Sequence, residues 1–169
     1  MTHSLGLREA ADNLGIQVAP IRMIEIEGAL QRELDSIEVY QDAVEAFAIL
    51  QDYGIAIALC SNLAAPYGPA VKALMPNHAA YALSYELGMM KPEPEIYRSA
   101  CNELGIVPEH LFEGTTEVVM IGDSPRCDRD GPRTIGIHGF YFDRKGSGPI
   151  HDLKQFAEFV VNSPRDSHR

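Results

Sequence analysis

The sequence predicts an α/β fold in which a parallel sheet is covered by helices on both faces. Three observations lead there. From residue 42 onward, amphipathic helical stretches alternate with short, continuously apolar runs, the pattern of strands buried between helices. The apolar runs end in small polar or acidic residues, Ser61-Asn62, Ser84-Tyr85-Glu86 and Gly122-Asp123-Ser124, where open parallel sheets bind their ligands. A chain of 169 residues, 46% hydrophobic and 22% charged, suits one globular domain. At that size roughly 70% of the unfolded surface is buried, so neither disulfides nor a structural metal is needed.

The elements follow in order. A short helix is expected over Leu5 to Asn13, and a longer one from Ala19 to Leu34, where Met23, Ile26, Leu30 and Leu34 recur at helical spacing and Pro20 stands in the first turn. Gly15 to Ile21 is an alternative candidate strand. Asp42 to Tyr53 reads as a helix burying Val44, Phe47, Ala48 and Leu50 and stopped by Gly54, followed by the apolar strand Ile55 to Cys60. Then come a helix over Pro69 to Leu74, a strand Ala79 to Leu83, a helix Pro94 to Leu104, and strands Val118 to Ile121 and Ile135 to Phe142. A last helix, Asp152 to Val161, puts Leu153, Phe156, Phe159 and Val160 on one face, before a frayed tail over 163–169. No internal repeat or low-complexity block interrupts this order.

Charge and cysteine content exclude several function classes. With 24 acidic against 14 basic residues the net charge is −10, a potential that repels phosphate backbones and anionic lipid, so neither nucleic acid nor a membrane is an expected partner. No apolar run approaches the ~20 residues of a bilayer span, and the start MTHSLGLREAADN lacks a signal peptide's apolar core. Cys60, Cys101 and Cys127 form no CxxC pair, which suits a reducing, cytoplasmic setting. The six histidines, at 3, 78, 110, 138, 151 and 168, contain no i, i+4 pair, so no zinc site is expected.

Three segments carry chemistry. In IGDSPRCDRDGPRTIGI an apolar strand runs into Gly122 and presents Asp123 and Asp128 in one acidic loop. Two carboxylates suit Mg²⁺, which takes one or two of them and completes its shell with waters and substrate phosphate; a helix-capping turn is the plainer alternative. In LGMMKPEPEIYRSA, Lys91 precedes Pro92 and Pro94 at a helix entry, where a fixed ammonium can neutralise phosphoryl charge or simply be solvated. Ser61-Asn62, directly after IAIALC, offers a hydroxyl, an amide and free N–H groups, either an oxyanion cradle or ordinary turn chemistry.

Taken together and in this order, these segments resemble the haloacid dehalogenase (HAD) superfamily of phosphatases and hydrolases over about Tyr40 to Arg144. Ser61 falls on the family's motif II hydroxyl, Lys91 on its motif III lysine, and Asp123 and Asp128 on its motif IV acids; SYELGMMKPEPEIY follows the subgroup with a small helical cap. The resemblance implies a Rossmann-like sheet with flanking helices, a partial helical cap over residues 1–37, and the core over 38–162. It implies Mg²⁺-dependent hydrolysis of a small phosphate ester, with Asp123 and Asp128 at the metal, Asp128 supporting either the metal or Lys91, and Ser61, Asn62 and Lys91 at the phosphoryl group. Some relatives cleave carbon–halogen bonds instead, and the cap that selects the leaving group is only partly present.

One departure changes the expectation. The family's nucleophile comes from an N-terminal D-x-D-x-[TV] at the end of a central strand, and the nearest stretch here, Asp12-Asn13-Leu14-Gly15-Ile16, follows a helical segment and has Leu14 in place of the second acid. The chain is therefore expected to be inactive or weak alone, to serve as a binding or regulatory module, or to be a truncated fragment. Without that strand, open edges favour a homo-oligomer or a complementing chain. A rival cysteine phosphatase reading rests on the C-x5-R spacing of Cys127 and Arg133, but Asp128 and Asp130 inside that loop oppose both phosphate and a thiolate. Cys60 and Cys101 are expected to be buried structural thiols, and Tyr67, Tyr81, Tyr85 and Tyr97 core or cap-interface residues.

Overall fold

Two pairs of parallel strands lie at the centre of the computed structural model, which describes residues 2–75, 79–108, 117–146 and 148–163. The amino end is helical: α1 (Leu7–Asn13) and α2 (Pro20–Asp35) are joined by Arg8, whose guanidinium donates twice to the Glu27 carboxylate at 2.7 and 2.6 Å. The expected stripe on α2 is present, with Met23 buried and Ile26, Leu30 and Leu34 half-buried. Gly15 to Ile21 is not a strand: residues 16–19 pair with nothing in a sheet, and Pro20 opens α2, its fixed φ suiting a first helical turn.

Strand β1 (Ala58–Ser61) runs parallel to β2 (Ala80–Leu83), with Cys60 beside Ala82 and Ser61 beside Leu83. Between them lie a 3₁₀ turn, Ala65–Tyr67, and α4 (Gly68–Leu74). After β2 the chain enters a one-turn helix, α5 (Ser84–Leu87), then α6 (Pro94–Glu103). The second pair is β3 (Val119–Gly122) beside β4 (His138–Tyr141), separated by a π-helical turn, Pro125–Asp130, and the short α7 (Gly131–Arg133). The expected strand Ile135 to Phe142 is shorter because Gly136, at φ +87°, turns the chain before it reaches β4. Among the described residues the two pairs are separate in their hydrogen bonding, so β1 and β3 each keep an unpaired edge.

Both pairs nevertheless share one core. Ile96, Tyr97, Ala100 and Cys101 of α6 are buried with Ala82, Ile135 and Ile137, and Ala58, Cys60, Val118 and Met120 pack against this cluster from the two pairs. Helix α6 thus packs against residues of both pairs.

Helix α3 (Gln41–Asp52) packs against α8 (Leu153–Asn162). The buried face of α3 is Ala43 and Ala46; of the residues the sequence suggested, Phe47 and Leu50 are half-buried, while Val44 is 47% exposed and Ala48 is also exposed, so the face is rotated toward the alanines. Two small residues let α8 approach closely. On α8, Phe156 and Ala157 are buried, while Phe159 is largely exposed with its ring edge near Phe140, centroids 6.1 Å apart. Asp42 joins the two helix entries, accepting from Arg144 Nη1 at 2.9 Å and from the Leu153 N–H at 2.9 Å. Arg144 also lies over the rings of Tyr40 and Phe142, 4.0 and 4.9 Å from their centroids. Of the residues read as a tail, 163–169, Ser163 instead closes α8, its N–H donating to the Phe159 carbonyl at 3.0 Å; residues 164–169, with His78, His110 and His168, lie outside the described residues.

Burial opposes ionisation of Asp42, but the Arg144 and Leu153 hydrogen bonds and the Arg144 charge outweigh it and hold the carboxyl below its ordinary value. A depressed folded pKa stabilises the fold above the unfolded value and loses that contribution as pH falls. Asp42→Ala should therefore destabilise by about 2 kcal/mol at neutral pH. The gap to the parent should shrink below pH ~4, as urea unfolding at the two pH values would show; a pH-independent gap would contradict it.

Candidate active site

The carboxyl ends of β1 and β3 carry the polar residues singled out in the sequence. Ser61 closes β1 and Asn62 follows it; Asp123 follows β3; Lys91 lies in the turn before α6, closed by the Glu93 N–H donating to the Met90 carbonyl at 2.9 Å. The Lys91–Pro92 peptide bond is cis.

Lys91 is tied to both sides of this ridge. Its ammonium donates to Asp128 Oδ1 at 2.5 Å, with only 11% and 4% of the two side chains exposed. Its main chain meets the Asn62 amide, the Lys91 N–H donating to Oδ1 at 2.7 Å and Nδ2 donating to the Lys91 carbonyl at 3.0 Å. Asn62, expected as a donor to the phosphoryl group, is thus engaged with Lys91.

Asp128 sits in the π-helical turn and its second oxygen, Oδ2, accepts the Ser124 N–H at 2.9 Å. Ser124 caps the same turn, its hydroxyl accepting the Cys127 N–H at 3.2 Å, and Tyr97 donates to the Cys127 carbonyl at 2.6 Å. Gly122 makes this approach possible: a Cβ there would stand 2.4 Å from Asp128 Cγ, so a side chain would push the carboxylate off β3. Both oxygens of Asp128, expected at the metal, are therefore occupied by protein donors.

Asp123 differs from Asp128 in every respect. It is exposed and its carboxylate has no partner among the described residues. Among them, no group of three or more His, Cys, Asp or Glu is arranged to hold a metal ion. A hard cation completed by waters and phosphate oxygens needs as little as one carboxylate, and Asp123 fits that requirement. Asp128 fits as the partner of Lys91.

The cysteine reading does not assemble. Arg133 donates through Nη2 to the Gly139 carbonyl at 2.8 Å instead of standing over the Cys127 thiol as a phosphate clamp. Cys60 lies under the Lys91–Asp128 pair, and burial pushes its thiol up to about 12, the Lys91 charge opposing only in part. Burial likewise raises Cys101, and all three cysteines are free. Asp12 lies in the last turn of α1 and is exposed.

The tyrosines divide by position. Tyr97 is fully buried in the core, its phenol held well above the ordinary value by burial. Tyr67 reaches the amino-terminal helices, donating to Glu33 at 2.8 Å, and Tyr85 donates to Glu86 at 2.8 Å. Sequence reasoning placed Ser84 and Ser124 at strand ends and Tyr97 in the core or cap interface, but missed what their hydroxyls bind. Ser124 had a readable signal, a serine before proline at a helix start; Ser84 and Tyr97 had none, since their partners are distant main-chain groups.

Residues 2–136 match the family described as haloacid dehalogenase-like hydrolases. A phosphoserine phosphatase of Thermus thermophilus is 32% identical over 140 residues, covering 81% of this chain and 53% of that protein. The chain thus spans about half the length of this curated relative. The crystal structure of a HAD phosphatase from Thermococcus onnurineus aligns with a TM-score of 0.65 at 19% identity, covering 89% of this chain and 68% of that one. That second likeness is one of fold.

A buried charge left without its partner is costly, while an apolar pair in its place is tolerated. Lys91→Met should destabilise by about 3 kcal/mol. Lys91→Met combined with Asp128→Leu should recover part of that loss, because the two positions are coupled. Equal, additive losses in chemical unfolding would show that the pair is not energetically coupled.

Proposed function

The chain belongs to the haloacid dehalogenase-like hydrolases, and on that premise we propose that its site is built for Mg²⁺-dependent hydrolysis of a small phosphate monoester. The observation that carries this reading is the link across the two strand ends, Asn62 after β1 holding the Lys91 main chain and Asp128 in the turn after β3 holding its ammonium; Ser61, which closes β1, and Asp123, which follows β3 and has no partner among the described residues, are placed with them by chain position. Ser61 and Lys91 hold phosphoryl oxygens, and Asp128 keeps the ammonium aimed at them. Asp123 is the metal ligand; a bound Mg²⁺ supplies charge neutralisation at the phosphate. Phosphoserine is the first substrate to try, since it is the one named for the relative from Thermus thermophilus.

The covalent step has no owner among these residues. Phosphoryl transfer of this kind needs an attacking carboxylate aligned with the phosphorus; Asp128 is committed to Lys91 and Ser124, and Asp12 is on α1. Catalytic groups act as a unit, so losing one removes most of the rate. The 169-residue chain is accordingly inactive or weak by itself. The free edges of β1 and β3 support completion by a strand from a second copy or another chain. The same observation favours a second reading, a binding or regulatory module that holds a phosphorylated ligand without turning it over. Three free thiols suit a reducing, cytoplasmic setting, and no described helix is long and apolar enough to cross a membrane.

Hydrolysis of an aryl phosphate and of phosphoserine, with and without Mg²⁺ and beside Asp123→Asn, tests both readings. Trace turnover that requires Mg²⁺ and disappears in Asp123→Asn is the expected result. Vigorous turnover would mean that a nucleophile is present in the chain. No difference between the chain and the variant would leave the binding module.

A further inference from the structure

We propose that Asn62 is a positioning residue for Lys91, acting on its main chain and not on a substrate. The carboxamide offers an acceptor and a donor side by side in one plane, and here it closes a ring on both main-chain groups of a single residue, at 2.7 Å and 3.0 Å. The amide's orientation follows from its partners, since the Lys91 N–H only donates and its carbonyl only accepts.

The clamp is itself anchored. Leu63, the next residue, has both of its main-chain groups held by one hydroxyl: its N–H donates to Ser84 Oγ at 2.9 Å, and Oγ donates to its carbonyl at 3.1 Å. Ser84 is fully buried at the end of β2. Position is therefore passed from β2 through Ser84 to residues 62 and 63, and from Asn62 to residue 91, twenty-nine residues further along the chain.

Lys91 ends up fixed at both extremities, its main chain from the β1 side and its ammonium at Asp128 on the β3 side. A lysine stem has many rotamers, and ordering it costs entropy. With the main chain fixed, the ammonium is already at the strand ends before an anion arrives, which is the preorganisation that makes such a charge effective. The functional meaning rests on the proposed contact of Lys91 with a phosphoryl group, but the clamp is measured without turnover.

The chain has four lysines, Lys72, Lys91, Lys145 and Lys154, which peptide mass spectrometry resolves. Amine-labelling rates are compared for the parent, Asn62→Ala and the near-isosteric Asn62→Leu, each with and without inorganic phosphate. Labelling of Lys91 should rise by about tenfold in both variants, with Lys72 and Lys154 unchanged. An unchanged Lys91 rate in either variant would overturn the proposal, as would a rise shared equally by Lys72 and Lys154, which would assign Asn62 to general stability. Phosphate should slow Lys91 labelling in the parent; if it does not while the variants still release Lys91, the phosphoryl reading fails and the clamp stands.

Discussion

A lysine and an aspartate that share a 2.5 Å contact with almost no exposure constrain everything around them. Removing two charges from water costs several kcal/mol per ion unless geometry and further hydrogen bonds compensate. Here the compensation is specific: the Ser124 N–H for the second oxygen of Asp128, a glycine on β3 that lets the carboxylate approach, and a turn whose main chain is gripped by Asn62. Such a pair is a poor way to gain stability alone. It is a good way to fix an ammonium at one point in space.

The pair also unites the two halves of the core. Among the described residues the β1–β2 pair and the β3–β4 pair share no strand-to-strand hydrogen bonds with each other, yet α6 packs against both and its Tyr97 donates to the Cys127 carbonyl within the turn that carries Asp128. Above the core, Asn62, Lys91 and Asp128 connect the carboxyl end of β1 to that of β3. The sheet geometry thus supplies the site's position, and the polar chain across it supplies the site's rigidity. Asp123, after β3, is exposed and has no partner among the described residues, which is why the proposed reading gives it the ligand.

Much of the fold was legible because the apolar runs are short and bounded. Ala80–Leu83 and Val119–Gly122 fall within a residue of the expected strands, and Pro94 and Asp152 mark helix entries as their chemistry requires. What escaped has physical causes. The α3 face was misplaced because an alanine-rich helix buries its small residues where a neighbouring helix comes close, and hydrophobicity alone favours Val44. The turn at Gly136 and the helix opening at Pro20 overrode apolar runs that would otherwise extend as strands. α5 and the π-helical turn are too short to leave a periodic signal. In the site, residue types at strand ends were readable, since topology puts strand ends together. Which way each side chain turns was not: whether Asn62 faces a ligand or Lys91, and whether Asp128 faces a metal or an ammonium, depends on contacts across 29 and 37 residues of sequence.

On the proposed reading these strand ends form an oxyanion site organised by Lys91, and a crystal structure of the chain with tungstate and Mg²⁺, the heavy anion located by its anomalous signal, would show it. Tungstate is expected within hydrogen-bonding distance of Lys91 Nζ and Ser61 Oγ, with a metal on Asp123. An anion bound only elsewhere, with the Lys91–Asp128 pair and Asp123 untouched, would contradict it.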